Sequence, residues 1–386
     1  MTIKDFVSNA SEINSANMED LNEDCLYYIL EYLPTEDSIS FAQVCQRFRQ
    51  LLITKWCGKF REYILESYCT RLELIKFCIC REAVESLTID LDHFDTARCF
   101  RNYGCIAPKN CFEVLCQTLL GMVGLQQLVV KQLSMLITPI EKPFDRILTA
   151  VRYLPSLRSL KLHARDDCSL ERLSQLQHLE NLQILVPKIP LATLVKTCKS
   201  NGKLGSLHIG YACIQKNLGD IVPHCKNLEV LKFGMSSNSS DYLPLARLPK
   251  LRELSYFGIR RSGSFEPLLS ALAAKSQLTH LSIDGGSLTL QETSQLVRIQ
   301  SLRYFKGFFS TTDYVEMLGS LANLEEVCIS MFSPLDISHS LLAVIARCNK
   351  LKLLRIAAGN VNTKILNDAI RLKEGSDIVL VVDKVS

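Results

Sequence analysis

The sequence predicts an α/β fold in which three short helices precede a solenoid of parallel strands, strands on the concave face and helices outside. Three observations predict it. Between Leu21 and Trp56 apolar residues recur at helical spacing in three short runs. From Val84 onward a unit repeats: an apolar residue, two free positions, an apolar residue, one free position, then usually a third apolar residue. From Leu157 to Leu351 these units start 22 to 27 residues apart. A strand with its helix cannot bury its own inner face, so neighbouring units must stack to make a core.

Taken in order, residues 1–17 are polar, rich in Ser, Asn and acidic side chains, and are expected to be disordered. Residues 18–59 form the helical unit. Leu26, Ile29, Leu30 and Leu33 fall at i, i+3, i+4 and i+7, one apolar stripe on a first helix. Asn22 can cap that helix, Glu23 and Asp24 suit its dipole, and Pro34 stops it. Thr35 caps a second helix carrying Ile39, Phe41, Ala42, Val44 and Cys45; a third shows Phe48, Leu51, Leu52 and Trp56. Units below roughly 40 residues rarely stand alone. The stripe is therefore expected to stay bare until a partner covers it.

The stretch from Leu21 to Lys55 resembles the F-box, the helical motif by which substrate adaptors dock on the Skp-type subunit of an SCF ubiquitin ligase. The resemblance rests on the leucine-rich first helix, the Leu33-Pro34 break, Glu36-Asp37-Ser38-Ile39, and Val44-Cys45-Gln46-Arg47-Phe48-Arg49. The chain departs from the family pattern at Asn22, where Pro is usual, and at Phe48, where Trp is usual. It implies a Skp-type partner and, through it, cullin and RING subunits. Carried over position by position, the adaptor-binding residues are Leu21, Leu26, Ile29, Leu30, Leu33, Pro34, Ile39, Val44 and Cys45.

Residues 60–80 read as a helical linker and 81–386 as the solenoid. The repeated units are Val84-Leu87-Ile89, Leu125-Leu128-Val130, Leu157-Leu160-Leu162, Leu182-Leu185-Pro187, Leu204-Leu207-Ile209 and Leu228-Leu231-Phe233. They continue as Leu251-Leu254-Tyr256, Leu278-Leu281-Ile283, Leu302-Phe305-Gly307, Leu324-Val327-Ile329 and Leu351-Leu354-Ile356. Their period is that of leucine-rich repeats. Val84 to Leu125 is a long interval, an insertion or one degenerate repeat, and Ile378–Val382 reads as a closing strand. Three residues before most units sits another apolar or thiol side chain; Asn201 and Lys275 break this rule. The spellings Cys225-Lys226-Asn227-Leu228 and Cys348-Asn349-Lys350-Leu351 resemble the cysteine-containing repeats of the F-box/leucine-rich-repeat family, which extends the resemblance over nearly the whole chain.

Composition narrows the function. A net charge of +4 gives no electrostatic case for nucleic acid or membrane. No run of about 18 apolar residues and no signal-peptide core is present, so the 16 cysteines are expected as reduced thiols in a cytoplasmic or nuclear protein. Thr2 and the Asp383–Ser386 terminus carry no lipidation signal. No Walker loop, dinucleotide fingerprint, HExxH or G-x-S-x-G occurs, and Gly285-Gly286 reads as a turn. Cys99, Cys105, Cys111 and Cys116, near Cys78, Cys80 and His93, lack the paired spacing of a zinc site. No cofactor and no catalytic residue are called for, and the chain is expected to be a non-catalytic subunit.

Strand side chains alternate, so the residues between the repeat leucines face the concave surface. Lys131, Lys161, His163, Lys188, His208 and Lys232 then form an early basic stripe without a facing acid. Glu253, Phe257, His280, Asp284, Tyr304, Lys306, Phe308, Glu326 and Arg355 make a later half that mixes charge with aromatics. The expected substrate site is an acidic or phosphorylated segment on the stripe, with an apolar anchor near Phe257, Tyr304 and Phe308. Arg260-Arg261-Ser262-Gly263-Ser264 reads as an exposed loop open to phosphorylation, a kind of string too common to carry a function. The resemblance implies substrate recognition for a ubiquitin ligase. A non-ligase interaction scaffold and a small-anion-sensing receptor are the other classes left open.

Overall fold

The computed structural model describes residues 18–56, 59–66, 71–92, 109–134, 140–210, 218–234, 238–258, 264–332, 335–373 and 377–383. Three helices open it: α1 (Glu23–Tyr32), α2 (Thr35–Val44) and α3 (Gln46–Trp56). The Asn22 carboxamide accepts the Cys25 N–H at 2.9 Å and caps α1. Leu26, Leu30, Ile39, Ala42, Phe48, Leu51 and Leu52 close on one another as the bundle's interior. Phe48 stacks on Phe41 with centroids 4.2 Å apart, so the aromatic at this position fills the core.

Among the described residues the remainder is built on one 13-stranded sheet, every pair parallel and in chain order. Its strands are β1 (Glu62–Leu65), β2 (Ser86–Asp90), β3 (Gln127–Gln132), β4 (Ser159–Ala164), β5 (Asn181–Leu185), β6 (Ser206–Ile209) and β7 (Val230–Gly234). They continue as β8 (Glu253–Phe257), β9 (His280–Leu288), β10 (Tyr304–Phe309), β11 (Glu326–Met331), β12 (Leu353–Ala358) and β13 (Val379–Val382). The register places Leu128, Leu160, Leu182, Leu207, Leu231 and Leu254 side by side, each nearly or fully buried. Return segments cover that face and leave the other open. This is a leucine-rich-repeat solenoid.

The return segments are not all α-helical. Full helices occupy α4 (Arg71–Cys80), α5 (Lys109–Leu120), α6 (Pro143–Val151), α7 (Leu191–Ser200), α8 (Glu266–Lys275), α11 (Ser338–Arg347) and α12 (Thr363–Leu372). Shorter ones are α9 (Leu290–Leu296) and α10 (Thr312–Met317). After β4, β6 and β7 the chain returns instead through 3-10 segments at Glu171–Gln175, Leu218–His224 and Ser239–Arg247. Pro223 and Pro244 sit inside two of these, and a proline lacks the N–H an α-turn needs.

Three sequence expectations change here, and one pair of alternatives is settled. Residues 60–80 are not a purely helical linker: β1 pairs with β2, Tyr63 opposite Leu87, so Phe60-Tyr63-Leu65 is itself a repeat unit. In the fourth unit the leucine at 160 faces Leu182, so the buried triplet is Leu179-Leu182-Ile184 and not Leu182-Leu185-Pro187. Strands β2 and β3 are direct neighbours, which makes the long interval after Val84 an insertion. Gly285-Gly286 lies within β9 as a bulge: Lys306 pairs with Ser282, but Phe308 pairs with Ser287. The expectations for residues 1–17, Cys99, Cys105, His93 and Arg260–Gly263 lie outside the described residues.

Buried polar groups tie repeats together. Asn201, 2% exposed, accepts the Leu179 N–H at 2.8 Å and donates to the Leu176 and Thr197 carbonyls. That is why an amide replaces the usual apolar residue there. Glu292, fully buried, closes a capping box with Thr289 and accepts the Phe265 N–H at 2.8 Å from the preceding repeat.

Candidate functional site

The helical unit keeps its stripe for itself. Leu26, Leu30 and Ile39 are at most 2% exposed and pack within the three helices, so they cannot meet a partner. The expectation that the whole stripe is bare is corrected here, because α2 and α3 fold back over it. Leu21, Ile29, Leu33 and Cys45 are half-buried against the same core. Of the nine proposed docking residues, Pro34 and Val44 are exposed, Val44 to 66%. Tyr28 and Tyr32, which sequence reasoning passed over, are 61% and 71% exposed and hydrogen-bond through their hydroxyls at 3.1 Å. Their i, i+4 spacing off the leucine stripe was the available signal.

The unit is seated on α4. Ile79 and Cys80 join its core, with Leu72, Ile75 and Ala83 packed around it. The Lys76 ammonium lies 4.6 Å from the Phe60 ring centroid and 5.9 Å from that of Trp56, bracketing the joint.

On the open face the basic residues divide. Lys232 is paired with Glu253 at 2.6 Å, Lys306 with Asp284 at 2.8 Å and Arg355 with Asp383 at 3.0 Å. The expected stripe without a facing acid is thus corrected at Lys232. Lys131 and Lys161 have no ion-pair partner among the described residues, although Asp90 stands opposite Lys131 in the register. Lys188 is exposed but lies beyond the end of β5, off the row, since the fourth unit is shifted. Gln183 takes that strand's place and bonds the His208 Nδ1 at 2.8 Å.

Burial, and then the Lys161 and Lys131 ammonium groups, hold His163 below the ordinary imidazole range. Burial, followed by Lys232 and Lys161, does the same to His208. For Lys306 burial opposes the charge, but the hydrogen bond and charge of Asp284 outweigh it and the pKa rises. The aromatics lie farther along: Phe257 edge-on to His208 at 5.7 Å, Tyr304 stacked on His280 at 5.8 Å, and Phe308 5.4 Å from Phe332. They occupy separate strands and do not merge into one pocket.

The buried thiols among the described residues are insulated. Burial pushes Cys80 up to about 12 and Cys116 and Cys348 to about 11, far from the thiolate range of a nucleophile. Cys198 is raised as well, first by its hydrogen bond with Cys225 and then by burial. Among the described residues no three His, Cys, Asp or Glu side chains converge as metal ligands, and no helix is long and apolar enough to cross a membrane.

Compared with known families, residues 18–59 match the F-box domain. The three-helix unit is an F-box domain. As a class, F-box domains bind Skp-type adaptors of ubiquitin ligases and are carried by non-catalytic adaptor subunits. No curated protein matches the chain. Among solved structures, an internalin (inlF) from Listeria monocytogenes str. 4b F2365 is similar over 69% of this chain and 82% of its own, with 13% identity and a TM-score of 0.43.

Proposed function

We propose that this protein is a non-catalytic substrate-recognition subunit of an SCF-type ubiquitin ligase, working in the cytoplasm or nucleus. The F-box docks on the Skp-type subunit, which bridges to the cullin and RING subunits, and the open face of the solenoid holds a target protein. The contribution to chemistry is positional. Tethering raises the concentration of target lysines near a ubiquitin-charged conjugating enzyme.

The single observation that carries this reading is the F-box match over residues 18–59. The docking residues are inferred from exposure: Tyr28, Tyr32, Pro34 and Val44 present apolar surface that the chain's own core does not use. Buried Leu30 is a poor probe, because an aspartate there unfolds the bundle. Val44→Asp with Tyr32→Asp leaves the core intact. Affinity capture from cells with the proteasome inhibited is expected to recover Skp-type and cullin subunits with the intact protein and at least tenfold less with the double variant. Equal recovery from both, or no cullin with either, overturns the proposal.

A further inference from the structure

The open-face cations fall into two groups that the sequence does not distinguish. Lys232 and Lys306 each hold a carboxylate from an adjacent strand, Glu253 and Asp284, and Arg355 holds Asp383 just past the end of β13. Lys131 and Lys161 hold none among the described residues. His163 sits with them: it is the register partner of Lys131, and it follows Lys161 by two residues on the same face of β4. Three nitrogen-bearing side chains therefore share one patch, in which neither ammonium makes an ion pair with a described residue. Asp90 flanks the patch on the β2 side of Lys131, and the Asp92 carboxylate is turned away, accepting the Leu133 and Ser134 N–H groups at 2.8 to 3.0 Å.

Four strands along, Phe257 is half-buried and its ring is steadied edge-on by His208. Parallel strands lie about 4.8 Å apart, so β4 and β8 are about 19 Å apart across the sheet. An extended chain advances about 3.3 Å per residue, which makes that gap about six residues.

We propose that the open face takes an extended segment of a protein target that carries a phosphorylated side chain. The phosphate lies among Lys131, Lys161 and His163, and an apolar side chain about six residues away rests on Phe257. A phosphate dianion matches two ammonium groups, whereas a single carboxylate neutralises one. The proposal rests on the reading of the open face as the target-binding surface. It is independent of whether the F-box docks on an adaptor, because the following test uses no ligase subunit.

The full-length protein is immobilised and offered a peptide library with one fixed phosphothreonine, a leucine placed two, six or ten residues to either side, and all other positions randomised. Enrichment of the six-residue spacing in one direction is expected. Lys131→Gln with Lys161→Gln should lower its retention at least tenfold, whereas Lys199→Gln, on α7, leaves it unchanged. Phe257→Ala should remove the spacing preference while keeping the preference for phosphate. Thermal melts confirm that each variant is folded. Equal retention of dephosphorylated peptides, no preference among spacings, or full retention by the folded double-glutamine variant would each overturn the proposal.

Discussion

His163 and His208 show how single side chains set the behaviour of the open face. Both are held below the ordinary imidazole value of 6.5, first by burial and then by neighbouring lysines. The folded chain thus resists a proton that the unfolded chain accepts. Their contribution to stability is complete above pH 6.5 and is lost as pH falls through that value toward the lowered native one. The urea midpoint is expected to drop between pH 7 and pH 5.5, and His163→Gln with His208→Gln should flatten that part of the curve. Asn201 is the second such residue. Replacing it with Ala strips partners from the Leu179 N–H and the Leu176 carbonyl, at a cost of roughly 1–3 kcal/mol in chemical denaturation. Lys131, Lys161, His163 and Phe257 could be placed on the open face from strand alternation alone. Pairing could not, because the Lys232–Glu253 contact joins side chains 21 positions apart, offset diagonally across two strands.

Glycine decides the shape of single elements. Gly285 has φ of +121°, and a Cβ there would stand 1.9 Å from the Gly258 carbonyl oxygen. Gly285→Ala should destabilise the protein by roughly 1–3 kcal/mol, measured by thermal unfolding. Gly307 is absent from the apolar pattern for a related reason: a Cβ would meet the buried Phe305 ring at 2.5 Å, so the ring takes the space of two residues. The strands from Leu204 to Leu351 were legible because each leucine triplet has one possible register. The fourth was not, since Leu176, Leu179, Leu182, Ile184 and Leu185 offer two. Only pairing with β4 selects between them. Strand β1 was hidden by the apolar run from Leu72 to Ile79, whose helical spacing was extended backward over Phe60-Tyr63-Leu65. Glu292 illustrates the same gap between local and long-range information: Thr289 announces the capping box, but nothing local announces the bond to Phe265. Glu292→Ala is expected to cost more than an ordinary cap, roughly 2–3 kcal/mol, because it also strands a buried N–H of the neighbouring repeat.

At the scale of the whole molecule, the F-box and the solenoid share side chains across their joint. Ile79 and Cys80 of the first return helix belong to the F-box core, and Trp56 and Phe60 meet over Lys76 with centroids 5.1 Å apart. A chain beginning at residue 60 uncovers that helix. Its amide exchange over Arg71–Cys80 is expected to accelerate at least tenfold, while exchange in β8 to β11 stays unchanged, as nearest-neighbour coupling in repeat arrays requires. Because the F-box sits on β1's end of a sheet whose strands follow chain order, position along the array is also distance. Twelve steps of about 4.8 Å make a path of roughly 58 Å along the sheet from the first strand to the last. Under the proposed function, a cargo gripped near β4 would hang close to the machinery that holds the amino-terminal helices, and one gripped near β10 would swing on a lever more than twice as long. On that same reading, the strand at which a cargo is held would decide which of its lysines come within reach.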